Sequence, residues 1–379
     1  MTFDAQRLEA LDFRDALKGA ASRIVSIQCV DGAIPWYEHG PWDPWNHTEC
    51  AMALAVMGEA SAARRAFEHL AERQKADGSW LAEYGNAIPM KDERHMSREP
   101  APTCHDTNFT AYCAVGVRHV TLLWADERFA AAYWPMVARA IDFVLRHQSV
   151  HGDISWSAEA VARSGADDAL LAGNASMYKS LQCGIDLGRQ LGEDVERWTL
   201  AREKLGQAIR TKPHRFGRQQ VEPSAFAMDW YYPILSGALD GPRAARGLDA
   251  DWDRFVEPGR GCRCVAHEPW ATVAETCELV MALISMGRRT QALALFESQA
   301  RHTDADGAYW MGWQFEEQIF WPEETPSWTQ AAVILAADAL YGDTLASRLL
   351  TDHGSDTRRK IRRVSTGSTS RKSLERIAR

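Results

Sequence analysis

The sequence has 379 residues, of which 46% are hydrophobic and 25% charged, so it could form two average domains or one large closed fold. Its net charge of −8 and isoelectric point near 5.9 create no overall positive field, which argues against nucleic acid or an anionic membrane surface as the main partner. A small molecule or an oligosaccharide suits this composition better.

The first thirty residues are charged and have helical periodicity, without the unbroken apolar core of a signal peptide. No later stretch reaches the roughly 18 apolar residues that a membrane span needs. The eight cysteines are scattered and form no CxxC pair. We therefore expect a cytoplasmic protein with reduced thiols and no membrane span.

Along the chain, amphipathic segments with helical periodicity alternate with more apolar ones, and strand-prone pieces are confined to the connections. The amphipathic segments, which suit the outside of a fold, lie near 7–28, 59–74, 127–148, 194–211, 242–255 and 288–301. The more apolar segments, which suit the inside, lie at 46–57, 106–123, 167–188, 224–239, 270–286 and 327–341. This alternation predicts an all-α protein with six outer and six inner helices.

Four of the outer segments end in a short repeat of Gln, Gly and Trp. The repeats are QCVDGAIPW at 28–36, QKADGSW at 74–80, QSVHGDISW at 148–156 and QARHTDADGAYW at 299–310. The Gly permits a tight turn that ends the helix, and the Trp can pack against the last helical turn. An irregular helical solenoid is the alternative to a closed ring.

Two features favour closure: the count stops at six pairs, and the first, unpaired outer helix can complete the ring with the last inner one. We therefore predict one (α/α)₆ barrel over residues 1–350. The basic, Ser/Thr-rich segment 351–379 lacks apolar periodicity and is predicted to be a flexible tail.

In such a barrel the N-terminal ends of the inner helices meet at one mouth, and the loops leading to them are rich in carboxylates. Some of these can simply cap helices or complement the helix dipole. Others lie inside or beside apolar runs, where a carboxylate needs a partner or a function. We select Glu275 as the first catalytic candidate, with Asp43, Glu49 or Asp229 as the second carboxylate.

Further residues at the same mouth are candidates for binding the substrate. They are Trp42, Trp45, His47, His105, Asp106, Asp168, Trp230, Tyr231, Trp270 and Trp321. His47 and His105 could be metal ligands together with Asp43 and Asp106, but the sequence has neither HxH nor HExxH spacing. We therefore expect no metal and no cofactor.

The Gln-Gly-Trp repeats resemble the QW motifs of the squalene-hopene cyclase and protein prenyltransferase toroids, although the DxDD motif of those cyclases is absent. Segments such as WDPWNHTECAMALAVMGEASAARRAFEHL and ETCELVMALISMGRRTQALALFESQ are similar to the helix pairs of the six-hairpin, glucoamylase-like glycosidases. The motifs DPWNHTECAMAL, MDWYYP and WPEE resemble a bacterial group of toroids that is often labelled prenyltransferase-like. All three resemblances imply an (α/α)₆ toroid.

Carboxylates among indole rings suit two chemistries. In glycan processing, sugars stack on Trp while one acid protonates the glycosidic oxygen and a second carboxylate attacks or activates water. In carbocation chemistry, aromatic faces stabilise the cation. Our leading hypothesis is an enzyme that acts on a glycan or glycosylated small molecule. The alternatives are a terpenoid cyclase or prenyltransferase-like enzyme and a non-catalytic binding scaffold.

Overall fold

The computed structural model describes residues 13–85, 104–159, 168–220, 222, 224–342 and 344–353. Within these ranges the chain is mainly helical. In chain order the helices are α1 (Phe13–Ala16), α2 (Lys18–Ile27), α3 (Pro44–Val56), α4 (Ala60–Arg73), α5 (Thr107–Ala111), α6 (Cys113–Trp124), α7 (Glu127–Leu145), α8 (Leu171–Leu191), α9 (Glu196–Thr211), α10 (Ala227–Leu235), α11 (Gly241–Ala250), α12 (Trp252–Phe255), α13 (Val273–Ser285), α14 (Arg289–Ser298) and α15 (Ser327–Tyr341). Short 3₁₀ turns lie at Pro213–Arg215 and Gln299–Arg301.

The helices form a closed double ring. The inner ring consists of α3, the nearly continuous pair α5 and α6, α8, α10, α13 and α15, each packed against the next, and α15 closes the ring on α3. The outer helices α4, α7, α9, α11 and α14 each pack on the inner helix that precedes them, while α2 packs against α15. The predicted (α/α)₆ barrel, including its closure by the first outer helix, is confirmed.

The hydrophobic core fills the space between the two rings. The outer helices bury one face only; α4, for example, buries Ala63, Phe67 and Leu70 while its arginines and glutamates remain exposed. The inner helices are buried on almost all sides, as α15 is from Thr329 to Ala337. The alternation seen in the sequence therefore reflects the two layers.

A small antiparallel sheet lies in the connections that lead to α13 and α15. Its strands, paired in chain order, are β1 (Val256–Glu257), β2 (Gly261–Arg263), β3 (Trp270–Thr272), β4 (Gly312–Gln314) and β5 (Ile319–Phe320). Because β3 runs directly into α13, this sheet borders the end of the barrel at which the inner helices begin.

The first three Gln-Gly-Trp turns tie α2 to α4, α4 to α7 and α7 to α9, each outer helix to the next one around the ring. The side-chain amides of the turn glutamines, Gln28, Gln74 and Gln148, each donate one hydrogen bond to the glycine carbonyl of their own turn and one to a carbonyl of the following outer helix. The acceptors on those helices are Ala62, Met136 and Ala201, at 2.9 to 3.0 Å.

The fourth turn completes the ring through a different contact. Gly307 packs against Gly19 of α2, and a Cβ at Gly19 would lie 2.3 Å from the carbonyl oxygen of Asp306. Gln299 donates instead to Arg260, beside the sheet. The repeat thus has a structural role in every turn where it occurs.

Most helix boundaries lie close to their predicted positions, although α10 is shorter than the predicted 224–239. It contains Pro233 and is followed by Gly237 with a positive φ, so it ends at Leu235. In the described part of the chain, no helix is long and apolar enough to cross a membrane. The start of the first predicted helix, before residue 13, and the predicted tail from residue 354 onward lie outside the described residues.

Candidate active site

The burial pattern of the inner helices defines a cavity at the mouth of the barrel. In every inner helix, a residue two or three positions after the N-cap is half-buried, whereas the residues five to eight positions after the N-cap are buried. These half-buried residues are Trp45, Asn46, Phe109, Ala172, Gly173, Met228, Asp229, Ala274, Glu275 and Trp328, here called the cavity wall. Six helices that expose the same positions must surround a common space, which is the mouth.

The residues six positions after the N-caps close the cavity below. They are Glu49, Tyr112, Ser176, Tyr232, Glu278 and Ala332, here called the cavity floor, and all are buried. At 1.5 Å per residue this layer lies about 9 Å below the helix starts. The Trp45 ring contacts the Tyr232 ring at 5.8 Å, which joins the first and fourth inner helices across the barrel axis. The cavity is therefore a bowl.

Two carboxyl groups of the floor lie close enough to influence each other. Glu49 Oε1 accepts hydrogen bonds from Trp45 Nε1 at 3.0 Å and the Tyr112 hydroxyl at 2.9 Å, and the Tyr231 hydroxyl donates to Glu278. Burial raises the pKa of Glu49 to about 7, and burial followed by the charge of Glu49 holds the pKa of Glu278 well above its usual range. The floor therefore retains protons near neutral pH.

Glu275 stands in the wall, in the first turn of α13. Its Oε2 accepts a hydrogen bond from the hydroxyl of Thr272, the N-cap residue at the end of β3. The sheet holds this segment in place: Cys262 on β2 donates its backbone N–H to the Thr276 hydroxyl at 2.8 Å. Glu275 is thus a half-buried carboxylate at the mouth, oriented by the strand that leads into its helix.

Asp43 and Asp106 are the N-caps of the first two inner segments. Asp43 accepts bonds from Trp36 Nε1 at 2.6 Å and from the backbone and side-chain nitrogens of Asn46 at 2.9 and 2.7 Å. Asp106 accepts one from the Phe109 backbone at 2.9 Å. Burial without a cationic partner raises the pKa of Asp43 to about 6 and that of Asp106 to about 7.

Three other polar candidates have structural partners. Asp229 lies in the wall but accepts the backbone N–H of Ala172 at 2.9 Å, and so caps the N-terminus of α8, which lacks a capping side chain of its own. Asp168 accepts three backbone N–H groups, and His47 bridges the backbone of Ile34 and Ala66. Burial raises the pKa of Asp229.

The aromatic candidates are divided between the cavity and the surrounding core. Trp45 lies in the wall, and Tyr231 lies beside the floor, bonded to Glu278. Trp42 is buried away from the cavity and stacks on Tyr84 at 4.4 Å, and Trp230 stacks on Phe255 at 5.0 Å towards the outer ring. Trp42 and Trp230 thus pack away from the cavity wall, and their part in binding the substrate stays a prediction.

The remaining candidates lie around the mouth. Trp270 and Trp321 pack edge to face at 5.2 Å on the sheet, where Trp270 Nε1 donates to the Trp321 carbonyl. His105 lies between Glu159, which accepts from its Nδ1, and Lys75, whose Nζ is 2.7 Å from Nε2. Among the residues the structure describes, no three metal-ligating side chains converge.

Several cavity residues are not among the sequence candidates. Phe109, Met228 and Trp328 belong to the wall, and Tyr112 and Tyr232 to the floor. The sequence does contain a signal for Tyr112, because it lies six residues after the capping side chain of Asp106, as Glu49 does after Asp43. Tyr232 has no such signal, since its N-cap is Phe226, which has no capping side chain.

One named relative covers most of the chain. A protein of Mycolicibacterium hassiacum (strain DSM 44199), named MMP endo-(1,4)-3-O-methyl-alpha-D-mannosidase, is 43% identical over 321 residues, which are 84% of this chain and 84% of that protein. No protein-family model matches the sequence.

Solved structures with the same fold are more distant in sequence. A wild-type glycosidase has a TM-score of 0.65 at 14% identity over 92% of this chain and 100% of its own. A GH63 mannosylglycerate hydrolase from Thermus thermophilus has a TM-score of 0.64 at 11% identity, covering 84% of this chain and 99% of its own. A D-mannose isomerase has a TM-score of 0.64 at 12% identity, covering 88% and 98%. The mannosidase relative and the shared fold of these structures support the resemblance to glycosidases. They give no support to the prenyltransferase-like label.

Proposed function

Because the chain belongs to the family of the MMP endo-(1,4)-3-O-methyl-alpha-D-mannosidase, and is therefore a glycan-acting hydrolase, we propose that it cleaves internal α-mannosidic bonds of a mannan whose sugars carry O-methyl groups. The observation that carries this proposal is the cavity wall: a half-buried carboxylate stands among apolar side chains in an open bowl. An endo-acting enzyme needs such an open site, because the polymer must cross it.

The composition of the wall supports a partly methylated sugar. Each of the six inner helices contributes one apolar half-buried residue, namely Trp45, Phe109, Ala172, Met228, Ala274 and Trp328. Apolar surface gains free energy when it covers methyl groups, at about 0.8 kcal/mol per methylene-sized group. Indole faces also accept the C–H face of a sugar ring.

For the chemistry, we propose that Glu275 is the nucleophile or base and that the first inner helix supplies the acid. The acid protonates the glycosidic oxygen as the bond breaks, while Glu275 attacks the anomeric carbon or activates the water that does so. The anomer released first, read by NMR, separates these two possibilities, because a water attack inverts the anomeric configuration.

Asp43 is the acid that we favour within the first inner helix. A polymer lying across the mouth has its linkage near the helix starts, where Asp43 is the N-cap, whereas Glu49 lies about 9 Å further down, in the floor. The raised pKa of Asp43, about 6, lets it hold a proton in mildly acidic solution. Glu49 is the alternative, because 8% of its surface is exposed whereas Asp43 is fully buried, and because its pKa is about 7.

The decisive experiment replaces Glu275 by Gln and follows hydrolysis of a 3-O-methylmannose oligosaccharide. We expect kcat to fall about 10³-fold with an unchanged melting temperature, because the amide keeps the shape but cannot act as a base or nucleophile. Glu268→Gln, at an exposed residue before β3, is the control. Full activity of Glu275→Gln would remove Glu275 from the mechanism, and no hydrolysis by the wild type would refute the substrate.

The pH dependence of kcat/KM tests the acid. A general acid works only in its protonated form, so kcat/KM must fall as the pH rises through the pKa of that group. We expect the decline to be centred near pH 6 if Asp43 is the acid. If the decline in kcat/KM is centred near pH 7 and is absent from the Glu49→Gln variant, the acid is Glu49 instead.

A further inference from the structure

A second cavity, of about 660 Å³, lies outside the barrel mouth, between the turn after α4 and the C-terminal end of α7. Its polar and aromatic lining includes Asp77, Arg139, Asp142, Phe143, Arg146 and His147. We call it the distal pocket. Its volume is in the usual range for ligand sites, about 300–1,000 Å³. The outer helices end on the face where the inner helices begin, so the distal pocket and the cavity open on the same side of the barrel.

The polar groups of the distal pocket are held in place by bonds that leave other atoms unused. Arg146 Nη2 donates to the Asp77 carbonyl at 2.8 Å, and its guanidinium lies 5.1 Å from the Phe143 ring. Asp142 Oδ1 accepts from Trp198 Nε1 at 2.9 Å and from Arg197. Arg146 and Asp142 are thus each anchored through one atom, so a ligand can bind their remaining polar atoms without ordering a mobile side chain.

The lining of the distal pocket carries charges of both signs. Arg139 and Arg146 lie beside Asp77 and Asp142, and Asp142 is also paired with Arg197. His147 adds a half-buried imidazole, 5.0 Å from Phe143, and the pKa of this imidazole is lowered by burial and by Arg146. Sugar hydroxyls suit such a lining, because they can both donate to carboxylates and accept from guanidinium groups.

The distal pocket approaches the mouth near the start of α5. Ala158, in its lining, donates its backbone N–H to the His105 carbonyl at 3.1 Å. His105 directly precedes Asp106, the N-cap of the helix that carries wall residue Phe109. His105 and Ala158 thus lie between the start of this helix and the distal pocket.

We propose that the distal pocket is a remote subsite that binds a sugar residue of the same polymer, several units from the bond that is cleaved. This inference rests on the proposed function, since it requires a polymeric glycan in the cavity. Its consequence is a preference for long substrates: the subsite contributes to the binding of chains that reach it and contributes nothing to short ones.

The test compares kcat/KM for a long and a short 3-O-methylmannose oligosaccharide in the wild type and in Arg146→Ala. In Arg146→Ala we expect the ratio of kcat/KM for the long oligosaccharide to kcat/KM for the short one to fall about tenfold, equivalent to about 1.4 kcal/mol. Asp142→Asn, in which an amide oxygen can still accept from Trp198, should lower the ratio by a smaller factor. A ratio equal to that of the wild type in both variants would overturn the subsite.

A matched control exists one step further around the ring. Lys212 at the end of α9 donates to the carbonyl of His151 at 2.8 Å, which is the same helix-to-turn contact that Arg146 makes with Asp77. Lys212→Ala should leave the ratio unchanged, and an equal fall there would also overturn the subsite. If the wild type cleaves neither oligosaccharide, the proposed function fails first, and this result is distinct from cleavage without a length preference.

Discussion

The outer turns and the inner mouth repeat in different ways. The turn glutamines Gln28, Gln74 and Gln148 are repeated as residues, and each makes the same pair of hydrogen bonds. At the mouth the repeated feature is the position: the sixth residue after the N-cap faces the axis in each inner helix, but its identity ranges from Glu to Ala.

This difference separates structure from chemistry. A turn that must join one outer helix to the next has the same geometric task each time, so the same residues serve it. The six positions around a cavity face one asymmetric ligand, so each of them needs its own side chain. The regular motif is therefore the place to expect changes in stability, and the irregular layer is the place to expect changes in turnover.

The largest expected effect is the loss of turnover on replacing Asp43, and Asp229 at the same mouth is the comparison. Asp43→Asn should lower kcat about 10³-fold, because an amide cannot donate the proton of a general acid. Asp229→Asn should lower it less than tenfold, since an Asn oxygen can still accept from the backbone of Ala172. Initial rates at pH 5.5, with melting temperatures as the folding control, decide between them. Equal losses would show that Asp229 also takes part in catalysis.

The sequence predicted the barrel well because the features that define it are local. Amphipathic and apolar helices alternate over the whole chain, and the turns carry their own sequence signature, so each helix could be placed without knowledge of its neighbours. The ring closure needed only the order of the elements.

The site was harder to predict because a side chain's direction depends on the helix start to within one residue. Each residue turns the direction by about 100°. Trp230 is four positions after its N-cap and faces the outer ring, whereas Met228, two positions after it, lies in the wall. Asp168 and His47 show the other difficulty, because polar residues in loops also satisfy backbone groups, and only the fold shows which ones do.

Replacing a glycine in an outer turn should lower the stability of the fold without changing turnover. Gly152 has a φ of 101°, and a Cβ there would lie 2.4 Å from the Lys204 carbonyl oxygen, so Gly152→Ala should cost about 3 kcal/mol of unfolding free energy. Gly192→Ala is the control: its φ is 80°, but no atom lies within 4 Å of the added Cβ, so about 1 kcal/mol is expected. Urea denaturation measures both, and a loss of kcat in folded Gly152→Ala would contradict the separation.

Replacing a turn glutamine should lower the unfolding free energy by a smaller amount, again without changing turnover. Gln148→Ala removes two hydrogen bonds of 2.9 Å, to Gly152 and Ala201, and leaves both carbonyl groups to water. We expect a loss of about 1–2 kcal/mol, again with unchanged kcat/KM. Thermal unfolding and initial rates on the same preparation measure the two quantities. A change in kcat/KM without a change in stability would mean that these turns influence the mouth directly.

The smallest effect tests whether the wall recognises methyl groups. Met228 is the apolar wall residue of α10, next to Asp229, and Met228→Ala removes the cover of about one methyl-sized group of the substrate, which is worth about 0.8 kcal/mol. If the wall covers O-methyl groups, the preference in kcat/KM for a methylated over an unmethylated oligosaccharide should fall about fourfold. Met228→Leu, which keeps the apolar volume, should retain the preference. Because the comparison is between two substrates of one variant, a general loss of activity cancels, and equal losses on both substrates would place methyl recognition elsewhere in the wall.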